Sequence, residues 1–255
     1  MNAPRNAPLN ATRQAFSLQG KTILVTGASS GLGRQIAISS ARRGARIVAT
    51  GRDADRLQAT FDALPGEGHQ QILAEQTSAA DRAALAKAVP ALDGLVHCAG
   101  KQMLSPIRLL SEGLMTQMFE INFLAPVMLT QQLFQAKKIT LGGSLIFMLS
   151  TSAHIGTPAV GPYSGMKSGL LGIIRCLAME QGKHRIRVNG ISPSVVPTPM
   201  WGEDMQSAPL QAQRARHPLG LGTPDDVANA AIYLLADASR WVTGTTLVMD
   251  GGAVL

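Results

Sequence analysis

Residues Lys21–Gly33 limit the fold more than any other stretch. K-T-I-L-V-T runs into G-A-S-S-G-L-G and then into an amphipathic segment that reaches about Arg43. A short aliphatic run ending at glycine reads as a buried strand, and the periodic segment beyond it as a helix. Gly27, Gly31 and Gly33 let the backbone turn tightly and approach a ligand, while the helix start offers free amides and positive dipole. Three glycines alone can mark a purely geometric turn; the strand before and helix after make an anion-binding loop the stronger reading.

The alternation continues along the chain. Strands are expected at Lys21–Thr26, Arg46–Thr50, Gln71–Glu75, Asp93–Cys98, Gly143–Leu149, Ile186–Ile191 and Thr245–Met249. Helices are expected over Asp53–Leu64, Asp81–Val89, Ser111–Lys137, Tyr163–Gln181 and Asp225–Ala236. This order predicts an α/β fold: a Rossmann-type, doubly wound parallel sheet of about seven strands with helices on both faces. A single domain over residues 18–255 is expected, after a loose polar tail at 1–17. Only Pro197–Gly222 breaks the pattern, and it reads as a mobile substrate lid.

Hydrophobic residues at 45% against 15% charged supply the core that such a sheet needs. The net charge of +7 is scattered, with no basic run longer than pairs such as Arg42-Arg43, so nucleic acid is not an expected partner. No apolar run reaches membrane-spanning length and the first residues lack a signal-peptide core; a cytoplasmic protein without a membrane partner is expected. Cys98 and Cys176 sit in apolar runs without metal-ligand spacing, so buried reduced thiols and no metal site are expected.

The second strand bears on which nucleotide is held. About two dozen residues past the glycine loop, an NAD site usually offers a carboxylate to the ribose hydroxyls. Gly51 stands there, followed by Arg52. A guanidinium pairs with a 2′-phosphate and stacks on adenine, whereas a carboxylate would repel that phosphate. NADP is therefore expected over NAD. The competing readings are an arginine that simply faces solvent and the nearby acid Asp53.

Tyr163 and Lys167 lie four residues apart, with Ser150 thirteen residues before the tyrosine. On a helix the pair shares one face. An ammonium beside a phenol favours phenolate, and lowering a tyrosine by about two units takes roughly 2.7 kcal/mol. Such a pair suits proton transfer near neutral pH. Tyrosine and lysine at this spacing are common on helices, so the weight comes from the nucleotide signature upstream.

From about Gly20 to Gly252 the chain resembles the short-chain dehydrogenase/reductase family. The matching pieces are T-G-A-S-S-G-L-G at Thr26–Gly33, Ala99-Gly100, Asn122 in F-E-I-N-F, Ser150, Y-S-G-M-K at Tyr163–Lys167, R-V-N-G-I-S-P at Arg187–Pro193 and D-G-G at Asp250–Gly252. The resemblance implies an NADP-dependent oxidoreductase that interconverts a ketone and a secondary alcohol. It makes Tyr163 the general acid/base, Ser150 the residue polarising the carbonyl, Lys167 the group that lowers the tyrosine and grips the nicotinamide ribose, and Asn122 the holder of a relay water. Ser152 is the alternative donor to Ser150. The dinucleotide falls to Gly27, Ser29, Ser30, Gly31, Leu32 and Gly33, to Arg52, Gln76, Ala99 and Gly100, to Tyr163 and Lys167, and to Pro193, Val196 and Thr198.

Three departures from the family pattern stand out: His97-Cys98 where two asparagines are frequent, Gln76 where an aspartate usually meets the adenine, and Ser194 in place of Pro-Gly. His97 reads as a structural histidine. The substrate is expected between the segment after Ser150 and the lid, with His154, Ile155, Val160, Met200 and Trp201 as candidate lining. Resemblance to the 3-oxoacyl-acyl-carrier-protein reductases implies a small-molecule or carrier-linked carbonyl substrate; Arg108, Arg214 and Arg216 suit an acidic carrier. It also implies a homodimer or homotetramer built on the helices at Ser111–Lys137 and Tyr163–Gln181, with Gly169, Leu170, Gly172 and Ile173 able to face a partner or the sheet. The alternatives on this scaffold are an epimerase, a lyase or a regulatory dinucleotide-binding protein.

Overall fold

Ile23, Leu24 and Val25 are consecutive in the first strand and each is fully buried, which requires cover on both faces of the sheet. The structure is a computed structural model and describes residues 15–199 and 208–254. Seven strands form one sheet: β1 (Thr22–Thr26), β2 (Arg46–Gly51), β3 (Gln70–Leu73), β4 (Leu92–His97), β5 (Ile139–Met148), β6 (Arg187–Pro193) and β7 (Thr246–Met249). Their order is β3-β2-β1-β4-β5-β6-β7 and every pairing is parallel. The order reverses between β1 and β4, so a crevice opens at their carboxyl ends, where Thr26 is level with Thr50 and His97. The expected α/β architecture is the observed one.

Helices α1 (Gly31–Arg42) and α2 (Ala54–Phe61) cover one face, joined there by a late helix, Pro224–Leu235. Ile36, Leu57, Val227 and Leu235 pack there on Ile23, Val25 and Val96. The other face is covered by α3 (Ala79–Ala88) and by helices contributing Leu129, Leu133, Leu170 and Ile174 onto Leu24, Val48, Leu95 and Leu145. Adjacent strand residues thus divide between the two cores, as the two-residue period of a strand dictates.

The long helix expected at Ser111–Lys137 is not one helix. It is α4 (Glu112–Phe119), a π turn at Glu120–Leu124 and α5 (Ala125–Gln135). Pro126 explains the break: it has no N–H to give the carbonyl of Asn122 one turn earlier, and its ring crowds that turn. The wider turn aims Asn122 inward, where it is fully buried. Thr130, one turn beyond Pro126, donates its hydroxyl to the Pro126 carbonyl and accepts from His97 Nε2, both at 2.8 Å. Burial, and then the Lys167 charge, press the His97 imidazole down to about 3, so it is neutral and carries its proton on Nε2. His97 is the structural histidine that the sequence suggested.

Other boundaries moved. Helix α6 spans Gly161–Gln181, two residues longer at its start than expected, with Pro162 at its first turn. Strand β5 begins at Ile139, with a register shift against Leu92–Gly94 that a glycine pair had hidden. The lid is not wholly irregular: it holds helix α7 (Ala208–Arg216), and the late helix Pro224–Leu235 is α8. Met200 and Trp201 lie outside the described residues, as do residues 1–14 of the expected tail; Phe16 lies 6.2 Å from the Tyr233 ring. Neither thiol is buried as expected: Cys176 is on the outward face of α6 and Cys98 is half-buried past β4. Among the described residues no helix is long and apolar enough to cross a membrane.

Thr130→Val keeps the side-chain shape but leaves the buried His97 N–H without its acceptor. Stability should fall by about 1–3 kcal/mol in denaturant unfolding; an unchanged midpoint would show that this bond does not hold α5 to the sheet.

Candidate active site

The glycine turn sits at the crevice between β1 and β4. Gly27 and Gly31 have φ of +65° and +54°, a region that favours glycine. A Cβ on Gly33 would lie 2.3 Å from the Gly27 carbonyl oxygen, and one on Gly27 would lie 2.8 Å from the Ala99 nitrogen. The turn therefore closes on α1 and on the segment after β4 only without side chains. Asp53, Ser78, Ser111 and Thr223 cap α2, α3, α4 and α8 with their side chains. Ser30, at the start of α1, makes no such cap, and no acid occupies the first turn. The first amides of α1 thus face the crevice with no side chain supplied to them, which suits a pyrophosphate. Thr198 closes over this helix start, its Cβ 3.5 Å from the space above Gly31, while Pro193 ends β6 and Val196 is buried in the core.

At the far end of the crevice, Gly51 ends β2. A Cβ there would be 3.1 Å from Ser29 Oγ, so Ser29 fills the position from which a carboxylate would reach a ribose. Asp53, the acid nearby, accepts from the Arg56 amide and pairs with the Arg56 guanidinium at 2.8 Å. Arg52 points outward and pairs with Glu75 at 3.3 Å. Gln76 is buried, Arg82 donates to its carbonyl at 2.6 Å, and its Nε2 finds no partner within the protein. A buried donor left open beside the crevice is where a purine nitrogen fits.

Ser150, Tyr163 and Lys167 meet beyond β5. Tyr163 and Lys167 share the inward face of α6 and both are buried. Lys167 Nζ lies 5.6 Å from the Tyr163 ring centroid and donates to the Met148 carbonyl at 2.7 Å. The empty side of Gly100 is 3.7 Å from the same nitrogen, and Cys98 and Ala99 amides donate to Thr26 Oγ1 at 3.1 Å. Ala99 and Gly100 thus lie between the glycine turn and Lys167.

The expected electrostatics of the pair need correction. Burial pushes the Tyr163 phenol up to about 12, with the Ser150 hydroxyl pulling the other way and too weakly to prevail. Burial also presses Lys167 down to about 8, opposed by Cys98. In this structure desolvation sets both shifts and neither group counters the other's, since the ammonium sits over the ring.

Asn122 is close by but differently engaged. Its Nδ2 donates to the Lys101 carbonyl at 2.8 Å and its Oδ1 accepts from the Lys101 amide at 3.1 Å. The side chain clamps the segment after Gly100, leaving little capacity for a relay water. Ser150 Oγ accepts from the Ser152 amide at 3.2 Å and donates to Ser152 Oγ at 3.3 Å, so the two hydroxyls form one pair beyond β5. Of the expected substrate lining, Val160 is buried with Met118 behind Tyr163, and His154 is tied to Ser192 Oγ at 2.9 Å. Ile155 is half-buried on the same loop. Sequence reasoning singled out neither Glu75 nor His217, which bonds Ser194 Oγ at 2.9 Å and anchors the end of α7 to the exit of β6. Both links depend on which strand ends lie side by side.

A family model described as Enoyl-(Acyl carrier protein) reductase matches residues 27–254. The chain is 32% identical over 248 residues to the (2S)-[(R)-hydroxy(phenyl)methyl]succinyl-CoA dehydrogenase subunit of Thauera aromatica, covering 94% of this chain and 99% of that one. It is 34% identical over 244 residues to D-threitol dehydrogenase of Mycolicibacterium smegmatis, covering 93% and 94%. Among solved structures, a Beutenbergia cavernae protein with NADP bound at low occupancy is similar at TM-score 0.87 and 31% identity, over 94% of this chain and 99% of that one.

Gly33→Ala places a methyl group against the Gly27 carbonyl and must open the turn. The variant should lose dinucleotide affinity by about tenfold or more and stability by about 1–3 kcal/mol. Calorimetric binding beside thermal unfolding checks this; wild-type affinity would mean the turn is not the phosphate cradle.

Proposed function

The chain belongs to the short-chain dehydrogenase/reductase family, and we propose that it interconverts a ketone and a secondary alcohol with NADP. Oxidoreduction between CH–OH and C=O follows from the family; the cofactor preference and the residue roles are our reading. The observation that carries it is the placement of Ala99 and Gly100 between the glycine turn and Lys167, with Tyr163 and Ser150 beside that lysine.

When bound, NADP exchanges a hydride with the substrate carbon. The protein's own part is to bind, orient and move a proton. With its pKa near 12 the Tyr163 phenol stays protonated at neutral pH, as an acid poised to donate to a carbonyl oxygen must be. Ser150, on the loop after β5, supplies a second hydroxyl to that oxygen, so the developing charge meets donors already in place. Lys167, near 8, is still largely an ammonium at neutral pH; one of its protons goes to Met148 and the others can reach ribose hydroxyls. For the reverse direction the phenol must ionise, and the Lys167 ammonium together with a bound cationic ring would favour the phenolate. The Asn122 side chain is committed to Lys101, so its main-chain carbonyl, which Pro126 cannot serve, is the group left to hold a water.

NADP over NAD is supported by Ser29 filling the space above Gly51, by Asp53 being committed to α2, and by the free donors of Arg52. The NADP carried by the Beutenbergia cavernae relative is consistent with this. A 3-oxoacyl compound, small or carrier-linked, suits the exposed apolar residues Leu104, Ile107 and Leu109 with Arg108 among them, Ile107 lying 3.7 Å from the Gly161 position at the start of α6. Met115 and Phe119 of α4 and Met179 of α6 expose apolar surface, which supports a homodimer or homotetramer through these helices. Leu170 takes no part in such a contact, since it is buried in the sheet core, whereas Gly169 is exposed beside Phe123 and is open to a partner helix.

Tyr163→Phe should lower turnover of ketones by about a thousandfold or more, followed at the nicotinamide absorbance, with NADP affinity within about twofold of wild type. Retained turnover would remove Tyr163 from the chemistry. Arg52→Ala should weaken NADPH by about tenfold and NADH by less than about twofold; equal effects on both would exclude a 2′-phosphate contact.

A further inference from the structure

Glu75 follows β3, level with the exit of β2, since Leu73 pairs with Gly51 and the Ala74 amide donates to the Gly51 carbonyl at 2.9 Å. Four contacts fix it, one of them its carbonyl accepting from the Ser78 amide at 3.0 Å. Its amide donates to Asp81 Oδ2 at 2.9 Å, its Oε1 accepts from the Thr77 amide at 3.2 Å, and its Oε2 lies 3.3 Å from Arg52 Nη1. Burial works to raise its pKa, yet the Thr77 amide and the Arg52 guanidinium overcome this and hold it below the usual carboxylate range. At neutral pH a charged, immobile carboxylate therefore stands beside the guanidinium assigned to the 2′-phosphate.

We propose that Glu75 is a specificity-determining residue that holds Arg52 in an ion pair and so limits the preference for NADP over NAD. The proposal rests on the assignment of Arg52 to the 2′-phosphate. A carboxylate reaches the ribose end of an NAD site from the end of β2; here Ser29 fills that space, and the acid arrives from the end of β3 instead. Adenosine ribose without a phosphate brings no charge and leaves the Arg52–Glu75 pair intact. A 2′-phosphate must draw Arg52 off a carboxylate that cannot follow, and must then sit close to its negative charge. Arg52 is largely exposed and meets Glu75 through one nitrogen only, so the exchange is possible and the penalty modest. No other acid shares the arginine by contact among the described residues, because Asp53 is paired with Arg56.

The test is calorimetric titration of NADP and of NAD into four proteins: wild type, Glu75→Gln, Arg52→Ala and the double variant. Glutamine can still accept from the Thr77 amide, so the turn survives while the charge is lost. Glu75→Gln should tighten NADP by about three- to tenfold and change NAD by less than about twofold. In the Arg52→Ala background the same exchange should tighten NADP by a smaller factor than in wild type, since only the direct repulsion of the phosphate is then relieved. Glu75→Ser, which removes the carboxylate altogether, must shift NADP in the same direction. Unchanged or weaker NADP binding in both Glu75 variants, with Arg52→Ala still selective against NADP, overturns the role of Glu75 and leaves the phosphate contact standing. If Arg52→Ala affects the two dinucleotides alike, the phosphate contact itself fails and this proposal with it.

Discussion

The hydrogen bond from Lys167 Nζ to the Met148 carbonyl is the contact on which the site depends. It joins α6 to the end of β5 and fixes an ammonium inside the protein, where desolvation disfavours charge by several kcal/mol unless partners offset it, on the order of magnitude known for buried ions. The offset here is incomplete, and the lysine falls to about 8. Two neighbouring groups driven this far from their ordinary values by burial are the mark of a functional site. The fold keeps them in place because their helix packs through Leu170 and Ile174 against the sheet.

The same economy runs through the neighbouring helix. Pro126 forbids a regular turn, the π turn swings Asn122 inward, and its side-chain amide then clamps both main-chain groups of Lys101. That clamp holds Gly100 open beside Lys167, with the Asn122 Oδ1 only 2.9 Å from where a side chain would begin. Farther along the helix, Thr130 ties the Pro126 carbonyl to His97. A single imino acid thereby organises the floor between the nucleotide crevice and the phenol.

Much of this could be read from the residues and some could not. Glycine spacing and aliphatic runs predict the sheet because backbone turns and burial are local demands, and β1 through β7 fall close to the expected places. Pro126 was visible, yet a proline in an apolar helix pattern does not say whether the helix kinks, ends or widens. The Tyr163–Lys167 spacing gave the shared face correctly but suggested a lowered phenol, because spacing carries no information about desolvation. Arg52 stood out as a cation next to Gly51, whereas its partner Glu75 is twenty-odd residues away and meets it only through the β2–β3 register. Helix α7 was missed because a segment rich in polar residues and arginine gives little apolar periodicity.

The central claim is that Lys167 and the cofactor's charge together turn a buried, reluctant phenol into a usable acid/base. The most direct measurement is an ultraviolet titration of the Tyr163 phenol in saturating NADP, made on wild type and on Lys167→Met. The account predicts that in the wild-type complex the phenol ionises well below the value of about 12 to which burial pushes it, and that in the lysine variant most of this drop is lost. Identical titrations in the two complexes would contradict it.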